Sequence, residues 1–114
     1  MENGIYEGAS THATSPSLNT SFVAGFVKGN SGNHYNLKVG DPQIPGHLIT
    51  TYDGPRPRGY EVMKKQGAIV LGIGGDNSPW AAGIFYEGVM TQGYSSEATD
   101  SAVMANIAAA GYGN

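Results

Sequence analysis

The 114-residue sequence contains no cysteine, which removes a disulfide framework, a thiol nucleophile and a thiolate metal site together. Charge is scarce as well. Only 13% of residues are charged and the formal net charge is −3, so the chain lacks the basic field that nucleic acid or an anionic membrane requires. Neutral polysaccharide is a more natural partner, because sugars are held by hydroxyl, amide and aromatic groups. No apolar run approaches the length of a membrane span, and the first thirty residues lack the basic-then-apolar pattern of an export signal. The chain therefore reads as soluble. Three histidines, His12, His34 and His47, are scattered without an i,i+4 pair or a nearby acid cluster, so neither a metal site nor a cofactor is expected.

Glycine, by contrast, is plentiful at 18 of 114 residues, about twice the usual share, and points to a turn-rich β protein of one domain. Ile5-Tyr6 offers a short strand directly behind Glu2-Asn3-Gly4, and Ala9–Asn19 reads as a loop. Thr20–Lys28 (TSFVAGFVK) is a strand with a candidate bulge at Gly25. Gly29–Asn33 is a tight turn, and His34–Val39 returns with Tyr35, Leu37 and Val39 alternating, as in a strand with one buried face. His47–Tyr52 is a further strand. Asp53–Gly59 (DGPRPRG) is a rigid loop whose Arg56 and Arg58 read as solvated charges or ligand contacts.

Gly67–Met90 (GAIVLGIGGDNSPWAAGIFYEGVM) organises the chain. Ala68–Ile73 is a short apolar run suited to a strand buried on both faces. Gly74-Gly75 break it, Asp76-Asn77-Ser78-Pro79 turn it, and Ala82–Met90 resumes as a second strand. Asp76 thus stands at the mouth of a hairpin, either as an ordinary turn aspartate or as a reactive acid. Ser95–Ala110 changes character: Ser and Thr are available as N-caps, acids occupy the first turn, Val103 and Ile107 share a face, and Gly111 is a natural stop. One C-terminal helix packed on the edge of a sheet is expected. Strands at this spacing imply a mainly β sandwich or barrel.

The chemistry rests on carboxylates. GIGGDN lacks the Lys-Ser/Thr ending of a phosphate loop and precedes a strand, and no serine stands in a nucleophile elbow. Glu2 and Asp76 both sit in Gly/Asn-rich surroundings beside strands, and two carboxylates facing across a cleft can run glycoside hydrolysis. Glu87 in FYEG is a rival, or a solvent-facing strand acid. Trp80, the single tryptophan, lies four residues past Asp76 and either stacks on a sugar or folds onto the surface. Tyr52, Tyr60, Tyr86 and Tyr94 are further sugar contacts or packing residues with wet hydroxyls.

GAIVLGIGGDNS followed by GIFYEGVMTQGYSSEATDSAVMANIAAAGY resembles the closing part of the catalytic domain of glycoside hydrolase family 54. FVAGFVKG, TTYDGPRPRGYEVMKKQGA and the opening ENGIYEG resemble it in the same order, so the likeness covers nearly the whole chain. The resemblance implies an extracellular α-L-arabinofuranosidase acting on arabinoxylan and arabinan with retention of configuration. It implies a concanavalin-like antiparallel β-sandwich, here partial, with residues 1–114 as roughly the last third of the catalytic domain. Glu2 matches the nucleophile, Asp76 the acid/base, and Asn3, Gly4 and Gly75 the positions that contact arabinofuranose. An aspartate two residues before the nucleophile, a tryptophan and a vicinal cysteine pair of the family precede the first residue here, and the arabinose-binding β-trefoil that usually follows is missing. Open sheet edges then favour self-association, and a non-catalytic carbohydrate-binding or structural β-domain is the alternative function.

Overall fold

Strand β1 (Ala24–Gly29) and strand β2 (His34–Gly40) form an antiparallel hairpin, and strand β3 (Leu48–Pro55) adds antiparallel to β2. A helix, α1 (Glu97–Ala109), follows near the C-terminus. These elements come from a computed structural model that describes residues 17–56, Leu71 and residues 82–114. Among the described residues the chain is mainly β, with β2 at the centre of a three-stranded sheet.

The register sorts the side chains onto two faces. Val27 lies opposite Leu37, which lies opposite Tyr52, and Gly29, Tyr35 and Gly54 are likewise aligned. On this face Leu37 is 1% exposed and packs with Tyr35 and Tyr52, whose ring centroids are 5.0 Å apart. The other face carries Phe26, Lys38 and Thr50 in one row and Lys28, Asn36 and Asp53 in the next. The register shifts between Leu37 and Lys38, so that Thr51 is an extra residue on β3. Its hydroxyl donates to the Leu37 carbonyl at 3.2 Å, which satisfies an acceptor at the place where a bulge disrupts the ladder.

Helix α1 lies over the polar face and not on the edge of the sheet, because Lys28 of β1 and Lys38 of the central β2 both reach Asp100. Ser96 is its N-cap and accepts from the Thr99 amide at 3.1 Å, satisfying one of the free N–H groups of the first turn. Gly111, with φ of +71°, ends the helix as expected. The residues that bury are Asp100 and Met104 rather than Val103 and Ile107, which are only half-buried. The sheet face explains that choice, since it offers two lysine side chains to Asp100. It also offers Gly40, where a Cβ would lie 3.0 Å from Met104 Cε and 1.9 Å from the His47 carbonyl oxygen. Gly40 is therefore needed for close approach rather than for an unusual backbone angle.

Other expectations change as well: β1 is regular at Gly25, the register shift lying between Leu37 and Lys38, and Asp53–Pro55 extend β3 instead of opening a loop. Ala82–Met90 forms no strand, and Ile84, Phe85, Tyr86, Val89 and Met90 are exposed. A strand is held by a ladder partner as much as by its apolar content, and none of β1–β3 pairs with this segment. Arg56 is not a solvated charge: its guanidinium donates to the Gly32 carbonyl and, at 2.8 Å, to that of Asn30. Its backbone amide reaches Asn33 Oδ1 at 3.2 Å, so the residue ties the end of β3 to the β1–β2 turn. The strand at Ile5-Tyr6, the apolar run Ala68–Ile73 apart from Leu71, the turn at 74–79 and Arg58 lie outside the described residues.

Candidate functional site

The polar face of the sheet meets the first turn of α1 in a cluster of four charges. Lys28 Nζ donates to Asp100 Oδ2 at 2.5 Å, to Glu97 Oε1 at 3.0 Å and to the Ser95 carbonyl at 3.0 Å. Lys38 Nζ reaches the same Asp100 oxygen at 2.8 Å and also donates to Glu97 Oε2. Asp100 Oδ1 accepts from the Ser95 hydroxyl at 2.5 Å. The side chains of Lys28, Lys38 and Asp100 are 7%, 4% and 3% exposed, whereas Glu97 closes the cluster from solvent. Such a balance is what a buried charge requires, because an unpaired one is costly to desolvate.

The titration behaviour follows from this arrangement. Burial alone pushes the Asp100 carboxyl up and is the largest single influence. The hydrogen bonds from Lys28, Lys38 and Ser95 together outweigh it and hold the group at about 2. Burial pulls both lysines down, yet their bonds to Asp100 and Glu97 carry the ammonium groups above their ordinary value. A lysine that serves as nucleophile or general base needs the opposite shift. Lys28 and Lys38 are thus structural cations, fully committed to α1.

Next to this cluster lies a second constellation. His34 Nε2 and Asp53 Oδ1 are 2.6 Å apart, so one of the three histidines does stand beside an acid. A sequence separation of 19 residues hides the pair until β2 and β3 align. The Asn36 and His34 hydrogen bonds, in that order of strength, lower the Asp53 pKa. Asn36 is 2% exposed, and its Oδ1 has no hydrogen-bond partner among the described residues. A buried acceptor in that state costs about 1–3 kcal/mol. Tyr94 approaches His34 edge-on at 5.9 Å, and Lys28 Nζ sits 4.7 Å from the centre of the tyrosine ring, within cation–π range. Burial and then the Asp53 charge raise the Tyr94 hydroxyl.

His47 has a structural task, accepting the Asp41 amide on Nδ1 at 2.9 Å within the β2–β3 connection. Tyr52 donates to the Pro55 carbonyl at 2.5 Å. Glu87 is neither on a strand nor free, since its Oε1 accepts from the Tyr112 hydroxyl at 2.5 Å. Tyr86 packs with Phe22 and Tyr112 in a trio of rings 5.3–5.7 Å apart. Among the described residues no group of three or more His, Asp or Glu could hold a metal, and no helix is long and apolar enough to cross a membrane.

Glu2, Asn3, Gly4, Gly75, Asp76, Trp80, Tyr60 and His12 all lie outside the described residues. The described cluster of Lys28, Lys38, Glu97 and Asp100 was the part missed from the sequence. Two signals point to it: lysines alternate with apolar residues on neighbouring strands, and Glu97 and Asp100 stand three apart at a helix start.

Known proteins supply the class. A family model described as the catalytic part of α-L-arabinofuranosidase B matches residues 1–113. The chain belongs to the α-L-arabinofuranosidase B catalytic family, that is, glycoside hydrolase family 54. It is 49% identical to a Hypocrea jecorina protein named alpha-L-arabinofuranosidase, over 98% of this chain and 23% of that one. It is 50% identical to a probable alpha-L-arabinofuranosidase B of Aspergillus terreus, over 98% of this chain and 22% of the relative. A Trichoderma koningii protein named arabinofuranosidase/B-xylosidase is 48% identical over the same share of the chain. The chain spans less than a quarter of the length of these curated relatives. No solved structure gives a significant match.

Proposed function

We propose that this chain is the closing part of a retaining α-L-arabinofuranosidase catalytic domain, in which Glu2 and Asp76 are the reacting carboxylates. Glu2 attacks the anomeric carbon of a terminal arabinofuranosyl residue while Asp76 protonates the departing glycosidic oxygen. Asp76 then takes a proton from the water that releases the arabinosyl-enzyme, regenerating both groups. Asn3, Gly4 and Gly75 hold the sugar and Trp80 stacks against it. Retention calls for the two carboxyl groups about 5–5.5 Å apart, and an apolar setting for Asp76 to keep its proton near neutral pH.

The observation that carries this reading is near-50% identity to named arabinofuranosidases across almost the entire chain. The substrates proposed are arabinan and arabinoxylan, the setting extracellular, and the three-stranded sheet one portion of a concanavalin-like sandwich. Among the described residues β1 and β3 are the outer strands, and through such edges a partial sandwich would self-associate. A non-catalytic carbohydrate-binding or structural domain is the second reading, with the exposed Tyr86 and Tyr94 as sugar contacts.

Release of 4-nitrophenol from its α-L-arabinofuranoside tests the proposal. Activity in the native chain that is lost in Glu2→Gln and in Asp76→Asn supports it. No release from a chain that is folded by circular dichroism removes the hydrolase reading and leaves the binding one.

A further inference from the structure

We propose that Asn19, in the triplet Asn19-Thr20-Ser21, is a modification site that accepts an N-linked glycan. Of the eight asparagines in the sequence, it is the one followed two residues later by serine or threonine. With no proline between them, that is the pattern an N-glycosylating transferase reads. Such triplets also arise by chance, so the place of this one in the fold decides. Exposure alternates along the segment that leads into β1: Leu18, Thr20 and Phe22 are half-buried, whereas Asn19 and Ser21 are exposed. The half-buried residues hold the path of the chain. The Thr20 hydroxyl donates to the Phe22 carbonyl at 2.6 Å, and the Phe22 ring lies 5.4 Å from Tyr86 and 5.7 Å from Tyr112. Both side chains that the motif needs therefore reach solvent together, on a surface segment outside any helix or strand, which is the setting a bulky glycan requires.

The step is a group transfer from an oligosaccharide carried on a polyprenyl diphosphate. Nδ2 of Asn19 attacks the anomeric carbon of the donor sugar, so that a nitrogen–carbon bond forms and the bond from that carbon to the diphosphate oxygen breaks. The diphosphate leaves with the electron pair, and the amide gives up one proton to a base of the transferase. The Ser21 hydroxyl is the group by which the transferase recognises and aligns the acceptor. Donor and transferase belong to the eukaryotic secretory route, so this inference rests on the extracellular setting proposed above and is independent of Glu2, Asp76 and hydrolysis. The relatives named above are fungal, and fungal secretion supplies both. Asn19 also stands just before β1, an outer strand among the described residues, and close in sequence to Val23, which is 56% exposed. A solubilising glycan there lies beside the kind of edge through which sheets associate.

Secretion of the full chain from a yeast, behind a supplied leader, tests the site. The product is expected to run as a heavier form that peptide N-glycosidase collapses, with Asn19 read as aspartate by peptide mass spectrometry only after that digestion. Asn19→Gln and Ser21→Ala, both at exposed positions, should abolish the heavier form and leave the circular dichroism unchanged, while Ser21→Thr should keep it. A secreted, folded chain whose Asn19 is bare would overturn the proposal, as would a digestible glycan that persists in Asn19→Gln. Because the leader is supplied, a bare Asn19 refutes the site without touching the extracellular setting. Release of 4-nitrophenol is read separately: a glycosylated chain without activity sinks only the hydrolase proposal, and an active chain with bare Asn19 sinks only this one.

Discussion

Asp100→Ala should be among the most damaging single substitutions in the described part of the molecule. The change strips Lys28 and Lys38, 7% and 4% exposed, of the carboxylate that both share. Glu97 still bonds both ammonium groups, but its side chain is 75% exposed and does not replace the buried acceptor. Breaking a buried ion pair by removing one partner costs about 3–5 kcal/mol, against a total stability of about 5–15 kcal/mol for a domain. Urea unfolding at pH 7, followed by circular dichroism, should show a midpoint lowered accordingly. Protonation is a milder perturbation and gives a pH test of the same cluster. The folded pKa of about 2 lies below the ordinary value of 3.8, so the contribution is complete above pH 4 and is lost as pH falls toward 2. By linkage that contribution is about 2 kcal/mol. The lysines, raised above 10.5, stabilise at all lower pH and lose that effect only in strong alkali. Asp100→Asn should therefore remove the steepening of acid unfolding between pH 4 and 2. A wild-type midpoint shared by Asp100→Ala at pH 7, or an unchanged acid limb in Asp100→Asn, would refute this account.

Gly40→Ala should destabilise by about 1–3 kcal/mol, because its Cβ would lie 1.9 Å from the His47 carbonyl oxygen; thermal melting checks it. Ser96→Ala removes the helix N-cap and should cost about 0.5–2 kcal/mol, with Ser96→Asp restoring most of the loss in the same melts.

The strands were legible where periodicity and turn chemistry agreed. Tyr35, Leu37 and Val39 alternate between two short glycine-containing turns, and β2 falls within one residue of that reading. The Ser-to-Gly frame of α1 was equally readable, since caps are local signals. Pattern failed where the missing information was a partner. Ala82–Met90 has strand-like composition yet no ladder, because pairing is a property of two segments and the sequence describes them one at a time. The same limit hid His34 beside Asp53 and Arg56 over the β1–β2 turn. Each contact joins residues about twenty apart, and each exists only once β3 aligns with β2.

Helix face assignment failed for a different reason. Val103 and Ile107 look like the buried stripe if the sheet beneath is assumed apolar. The face beneath is the one bearing Lys28, Asn36 and Lys38, so the helix turns its acid inward and keeps Met104 for the gap above Gly40. A polar residue at a helix start ordinarily reads as a cap or a solvated charge. Asp100 becomes a core residue because two strands deliver opposite charges to one point, and its low pKa is the consequence. That buried network gives the helix one orientation, since rotating α1 by a residue would leave both lysines buried without an acid. The same fixing of α1 holds Ser95 and Tyr94 against Lys28, whose ammonium bonds the Ser95 carbonyl and lies over the Tyr94 ring.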